Sequence, residues 1–202
     1  MTPLAEAYAR CAAIARGHYE NFPVASRLLP RHLRRPVTVI YAFARSVDDL
    51  ADEGDLGPRE RLDALAAWGQ DLERAVAGEP VAEPVLAASA DVVRRHRLPT
   101  APFHDLIRAF RQDVVQHRYA DHDQVLDYCT GSANPVGRLL LHLAGHATPE
   151  NLADSDRVCT ALQLINFLQD LEQDYHELGR ISLPADAMAR HGVSEDHLRK
   201  RR

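Results

Sequence analysis

With 202 residues, 46% of them hydrophobic and 26% charged, the chain carries enough apolar material for one buried core, which excludes a disordered or low-complexity protein. A formal charge of −5 gives no general attraction to nucleic acid or anionic lipid, and the basic run at 199–202 reads as a solvated helix end. Cys11, Cys129 and Cys159 lie far apart without CxxC spacing, so neither a disulfide framework nor a thiolate zinc site is expected, and a reducing cytoplasm fits.

The first twenty residues alternate apolar with charged side chains and show no export signal. Apolar residues recur three and four apart through nearly the whole sequence, and long period-two stretches are missing, so an all-α fold is predicted. In chain order, helices are expected to begin after Pro3, around Pro36, at Pro58, near Val81, at Pro102, near His122 and at Pro149, because a first-turn proline lacks only an N–H that would go unused. Gly54, Gly57, Gly78, Gly145, Gly179 and Gly192 mark the expected stops or turns. One helical domain spanning 1–202 accounts for the pattern; the loop at 77–84 is too short to divide it.

The chemistry is concentrated in two segments. In YAFARSVDDLADE (41–53), Tyr41, Arg45, Asp48 and Asp52 are spaced four, three and four, which places them on one helix side with Asp49 adjacent. Like charges at the C-terminal end of a helix oppose its dipole and call for a positive partner. Carboxylate oxygens suit Mg²⁺, which bridges one or two of them to substrate phosphates. In ALQLINFLQDLEQDY (161–175), Gln163, Asn166, Asp170 and Asp174 form a second stripe. Leu162, Leu164, Ile165, Phe167 and Leu168 around it suggest a buried helix, where unpaired polar groups would be costly. Either stripe alone fits a solvated face; two together favour a metal–diphosphate site.

These motifs, in this order and separation, resemble those of the squalene/phytoene synthase family, the head-to-head prenyl synthases. The likeness extends to HYENFP (18–23), LLP (28–30), and Tyr128-Cys129 followed by SANPVG (132–137). ENFPVAS (20–26) and SANPVGRLLLHL (132–143) look most like the hydroxysqualene synthase branch of bacterial hopanoid biosynthesis. Three departures stand out: Gln169 where many relatives have Arg, Ser182 where Tyr is usual, and relatives that continue for several helices beyond position 202.

The resemblance implies a class I isoprenoid-synthase bundle and Mg²⁺-dependent ionisation of presqualene or farnesyl diphosphate. Asp48, Asp49, Asp52, Asn166, Asp170 and Asp174 would be metal ligands, with Tyr41 and Arg45 also at the catalytic centre. His18, Phe22, Arg45, Val136, Gln163, Asn166 and Arg180 would contact substrate. It also leaves room for a peripheral membrane contact and for association with pathway enzymes. The alternatives are a squalene or phytoene synthase proper, another class I prenyltransferase or terpene synthase, or an inactive helical partner. A di-iron bundle lacks its paired ExxH spacing, and no GxGxxG supports a nicotinamide site.

Other residues have plainer readings. His142 and His146, without an intervening HExxH glutamate, read as packing side chains. His104-Asp105 reads as surface. The GSANPVG run (131–137) is expected to let helices approach closely, and for Asp113 and Gln116, one turn apart on a third helix, contact with the diphosphate is the less favoured reading.

Overall fold

The computed structural model describes residues 3–17 and 29–199. It is built of helices: α1 (Leu4–Gly17), α2 (Arg31–Asp52), α3 (Pro58–Val76), α4 (Pro84–His96), α5 (Ala101–Asp113), α6 (His122–Ser132), α7 (Asn134–Ala144), α8 (Pro149–Gln169), α9 (Leu171–Glu177), α10 (Ala185–Arg190) and α11 (Glu195–Arg199). Two short strands, β1 (Arg118–Tyr119) and β2 (Ile181–Pro184), pair in parallel. The all-α expectation holds, with this small sheet as the exception.

The starts expected at Pro58 and Pro149 fall where a first-turn proline meets a cap, and the start at Pro84 is built the same way. Gly57 precedes Pro58, and the Glu60 carboxylate accepts from the Gly57 N–H at 2.8 Å. Glu83 accepts from the Val85 N–H at 3.1 Å, and Thr148 from the Asn151 N–H at 3.2 Å, each satisfying one orphan donor. Two starts are corrected. α2 begins at Arg31 behind Pro30, so Pro36 lies inside the helix and not at its start. It is tolerated because its missing N–H removes a single bond close to the helix end. α4 begins at Pro84 and not near Val81, since Pro84 takes the N1 position. Gly145, with φ 73°, closes α7 in the left-handed conformation as expected, whereas Gly57 serves as an N-cap.

α2 is the central helix and packs on α1, α3, α4, α5 and α7. Its Val39, Ile40, Phe43 and Val47 are buried, and Phe43 meets Phe103 of α5 edge-on with ring centroids 4.9 Å apart, the arrangement aromatic quadrupoles favour. A second, smaller cluster gathers Tyr119, Val125 and Tyr128 against Leu164 and Phe167 of α8.

The run of small residues at 131–137 does bring helices together. A Cβ at Gly137 would collide with Ser155 Oγ and Cys159 Sγ of α8. Gly137→Ala is therefore expected to lower stability by about 2 kcal/mol, a typical overpacking cost, read as a reduced urea midpoint with an unchanged slope.

One expectation is overturned. No residue of α8 is fully buried. Leu162 (55% exposed), Ile165 (50%) and Leu168 (64%) face outward, and only Leu164 and Phe167 pack inward. Apolar residues all round a helix suggest two covered faces; among the described residues only one is covered.

Candidate active site

The C-terminal half of α2 carries the first acidic set. Arg45, one turn before it, ion-pairs Asp48 at 3.1 Å, Asp49 at 2.6 Å and Glu53 at 2.6 Å. The guanidinium supplies the positive partner that clustered carboxylates at a helix C-terminus require. Asp48 is nonetheless pushed up to about 6, by desolvation first, with Asp52 and Asp49 adding and Arg45 opposing.

The second set approaches through a bend. α8 ends at Gln169 and α9 starts at Leu171, so the stripe predicted on one helix is split, with Asp170 at the junction. The bend is gentle, because Asp170 N–H still donates to Asn166 C=O at 2.9 Å and Asp174 N–H to Asp170 C=O at 2.8 Å. Gly179, with φ 64°, then reverses the chain into β2.

That reversal positions Arg180. Its N–H donates to Asp174 C=O at 3.1 Å, and the next N–H, of Ile181, donates to His117 C=O at 3.0 Å. Held between them, the side chain is 11% exposed and donates to both carboxylate oxygens of Asp52, at 3.0 and 3.4 Å. It also donates to the Asp113 C=O at 3.4 Å. Asp174 is raised above its ordinary value by burial, with Asp170 and Asp52 adding and Arg180 opposing. The two acidic segments thus meet, with Arg180 between Asp52 and Asp174.

Asp113, at the end of α5, forms the floor of this junction. The Tyr128 hydroxyl donates to its Oδ2 at 2.6 Å, while Oδ1 is buried without a partner. Burial pushes its carboxyl up to about 7; Arg180 and the Tyr128 hydrogen bond oppose the shift, and Asp52 and Asp48 add to it. Tyr128 is driven well above its usual value by burial and by Asp113. Its ring and those of Tyr119 and Phe167 lie with centroids 5.7–6.5 Å apart, making an aromatic wall beside the acidic junction.

Of the sequence-derived site residues, Arg45, Asp48, Asp49, Asp52, Asp174 and Arg180 come together, and Tyr41 is felt electrostatically by Arg45. Gln163 is half-buried, while Asn166 and Asp170 are exposed. Val136 packs against the main core, Leu164 against the aromatic wall, and Leu140 is 38% exposed. His18 and Phe22 lie outside the described residues. Gln116 does not join Asp113: its amide bonds Gln112 and the Arg118 C=O instead, because the chain has left the helix at Val114. Ser182 is 3% exposed and its hydroxyl has no partner.

Tyr128 and Glu53 carried no assigned role in the sequence reading. Glu53 extends the first stripe by one residue and was within reach of it. Tyr128 bonds a residue fifteen positions away, beyond any local spacing rule.

The site's donors are hard oxygens, the set that suits Mg²⁺. Among the described residues no three His, Cys, Asp or Glu side chains form a ready cage.

Comparison with known proteins bears on the same residues. The squalene/phytoene synthase family model matches residues 15–202. A hydroxysqualene synthase of Zymomonas mobilis is 39% identical over 187 residues, covering 91% of this chain and 61% of that protein. A phytoene synthase of Mycobacterium tuberculosis is 34% identical over 193 residues, 96% of this chain and 62% of that one. Among solved structures, a squalene synthase from Alicyclobacillus acidocaldarius superimposes with a TM-score of 0.86 at 40% identity, covering 98% of this chain and 74% of that one. The chain thus spans about three-fifths of the length of these curated relatives. With the motif order, the helical architecture and the family match in agreement, the chain belongs to the squalene/phytoene synthase family.

Proposed function

We propose that the chain carries the catalytic centre of a prenyl-diphosphate-ionising synthase that converts presqualene diphosphate to hydroxysqualene, in a route to squalene and hopanoids. The observation that carries this reading is the meeting of Asp52 and Asp174 at Arg180. The hydroxysqualene synthase relative supports the choice of product.

Asp48, Asp52, Asp170 and Asp174, with Asp49 and Asn166 as further oxygens, would hold Mg²⁺, which supplies charge neutralisation for a departing diphosphate. Arg45 and Arg180 donate to the phosphate oxygens, whose charge grows as the carbon–oxygen bond breaks. Tyr41, Gln163 and Asn166 orient the same group, and His18 adds a donor. Phe22, Val136, Leu140, Leu164 and the Tyr119–Tyr128–Phe167 wall exclude water from the carbocation until one molecule captures it. Product identity follows from that exclusion, since water capture gives an alcohol and hydride capture a hydrocarbon. No helix among the described residues is long and apolar enough to cross a membrane.

A second reading, a helical partner without turnover, draws on the uncovered apolar face of α8. Product analysis by mass spectrometry separates the two. Presqualene diphosphate supplied with Mg²⁺ and no nicotinamide is expected to yield hydroxysqualene and inorganic diphosphate. A cyclised or head-to-tail product would assign another prenyl chemistry, and no turnover would favour the partner.

A further inference from the structure

We propose that the cleft between α3 and α5 binds a small phosphate monoester with a short apolar body. The cleft has a volume of about 410 Å³, within the range of small-molecule sites, and it shares no residue with the acidic junction. Leu65, Gly69 and Ile107, all buried, form its floor, and Gln70, Arg108 and Arg111, all exposed, stand around it.

His104, Arg108 and Arg111 are spaced four and three, so they share one face of α5. Arg111 complements the C-terminal end of that helix. Arg108 lies a turn earlier, where neighbouring like charges repel. Asp105 answers it only at 3.3 Å, with 55% of the Arg108 side chain exposed, and the same carboxylate is felt by Arg138. Among the described residues Arg111 has no ion-pair partner. A Cβ at Gly131 of α6 would lie 3.1 Å from Arg108 Nη2, so that glycine leaves the room in which the guanidinium sits. Glu73 is the one carboxylate lining the cleft, and His104 Nε2 engages it across the two helices. Two guanidinium groups thus face a cleft whose single carboxylate is already bonded, an arrangement that receives phosphate oxygens through charge-assisted hydrogen bonds.

Gly69 separates a ligand site from a merely charged groove. It sits in the middle of α3 in ordinary helical conformation, where glycine is less stable than alanine. Crowding does not require it either. A Cβ there would meet Ile107 Cδ1 at 3.5 Å and His104 Nδ1 at 3.7 Å, which are ordinary van der Waals contacts. What a methyl group would do is fill the floor between Ile107 and His104. The chain thus gives up helix stability and keeps an open apolar floor beneath two arginines. That suits an anionic head with a short hydrocarbon body better than a bare anion. The inference is independent of the catalytic reading.

The test is isothermal titration calorimetry of the 202-residue chain with monobutyl phosphate and with inorganic phosphate, in EDTA, which removes any metal from the acidic junction. Monobutyl phosphate is expected to bind at one site, about ten-fold tighter than inorganic phosphate through its buried hydrocarbon. Arg108→Gln/Arg111→Gln should weaken both ligands at least about ten-fold. Gly69→Ala should melt at or above the temperature of the parent, bind inorganic phosphate as before, and lose the preference for the butyl ester. No saturable binding, equal affinity for the two ligands, or affinities unchanged in the double variant would each overturn the proposal. So would a Gly69→Ala protein that keeps the preference, or one that melts lower, since the glycine would then serve packing alone.

Discussion

Asp48→Asn and Asp174→Asn are each expected to lower turnover of presqualene diphosphate by about 10²–10³-fold, the usual effect of removing one group that stabilises developing charge. Neither should alter the helical circular dichroism. Asp48 is one of three carboxylates around Arg45, and Asp49 and Glu53 remain at 2.6 Å after the change. Both carboxyls are raised chiefly by desolvation, so the ionised form of each costs the fold stability, and a neutral isostere relieves that cost. Loss of activity without loss of structure therefore distinguishes a working carboxylate from a structural one. Full activity in both variants would remove the acidic junction from the chemistry.

The second large effect concerns Asp113 and appears in stability. Its carboxyl sits at about 7 in the folded chain against 3.8 ordinarily. Between those values the folded chain keeps a proton that the unfolded chain releases, so the group's contribution is complete below about pH 4 and is lost as pH rises to about 7. Between pH 5 and pH 8 the parent should lose on the order of 3 kcal/mol from this group. Asp48, pushed up to about 6, adds a loss of the same sign. Asp113→Asn retains an oxygen to accept from Tyr128 and cannot ionise, so its unfolding free energy should fall less over this range by about that amount. Urea unfolding at the two pH values, for parent and variant, checks this. An identical pH dependence would mean that Asp113 is already ionised in the fold.

Much of the architecture could be read from local rules. Prolines at 58, 102 and 149 located three helix starts, because a first-turn proline is a signal carried by the local sequence alone. Pro36 misled for the same reason: a proline five residues into a helix looks like a start until Pro30 is weighed, and only the packing of the whole helix decides between them. The burial of α8 was misjudged because apolar side chains identify faces that can be covered without saying what covers them. Leu162, Ile165 and Leu168 meet no described residue that buries them.

The candidate site divides along the same line. The α2 stripe was legible, since four-residue spacing fixes which side chains share a helix face. What joins it to the second stripe was not. Arg180 reaches Asp52 across 128 residues, through a glycine reversal and a two-strand pairing. The Tyr128–Asp113 bond links α6 to α5, and no periodicity reports such contacts.

The central claim is that the acidic residues of α2 and of α8–α9 serve one diphosphate. It is tested most directly by electron paramagnetic resonance of Mn²⁺, used in place of Mg²⁺, titrated into the protein with and without inorganic diphosphate. Mn²⁺ binding should tighten when diphosphate is present, and Asp48→Asn and Asp174→Asn, on different helices, should each abolish that coupling. Coupling that survives in either variant would contradict a shared site.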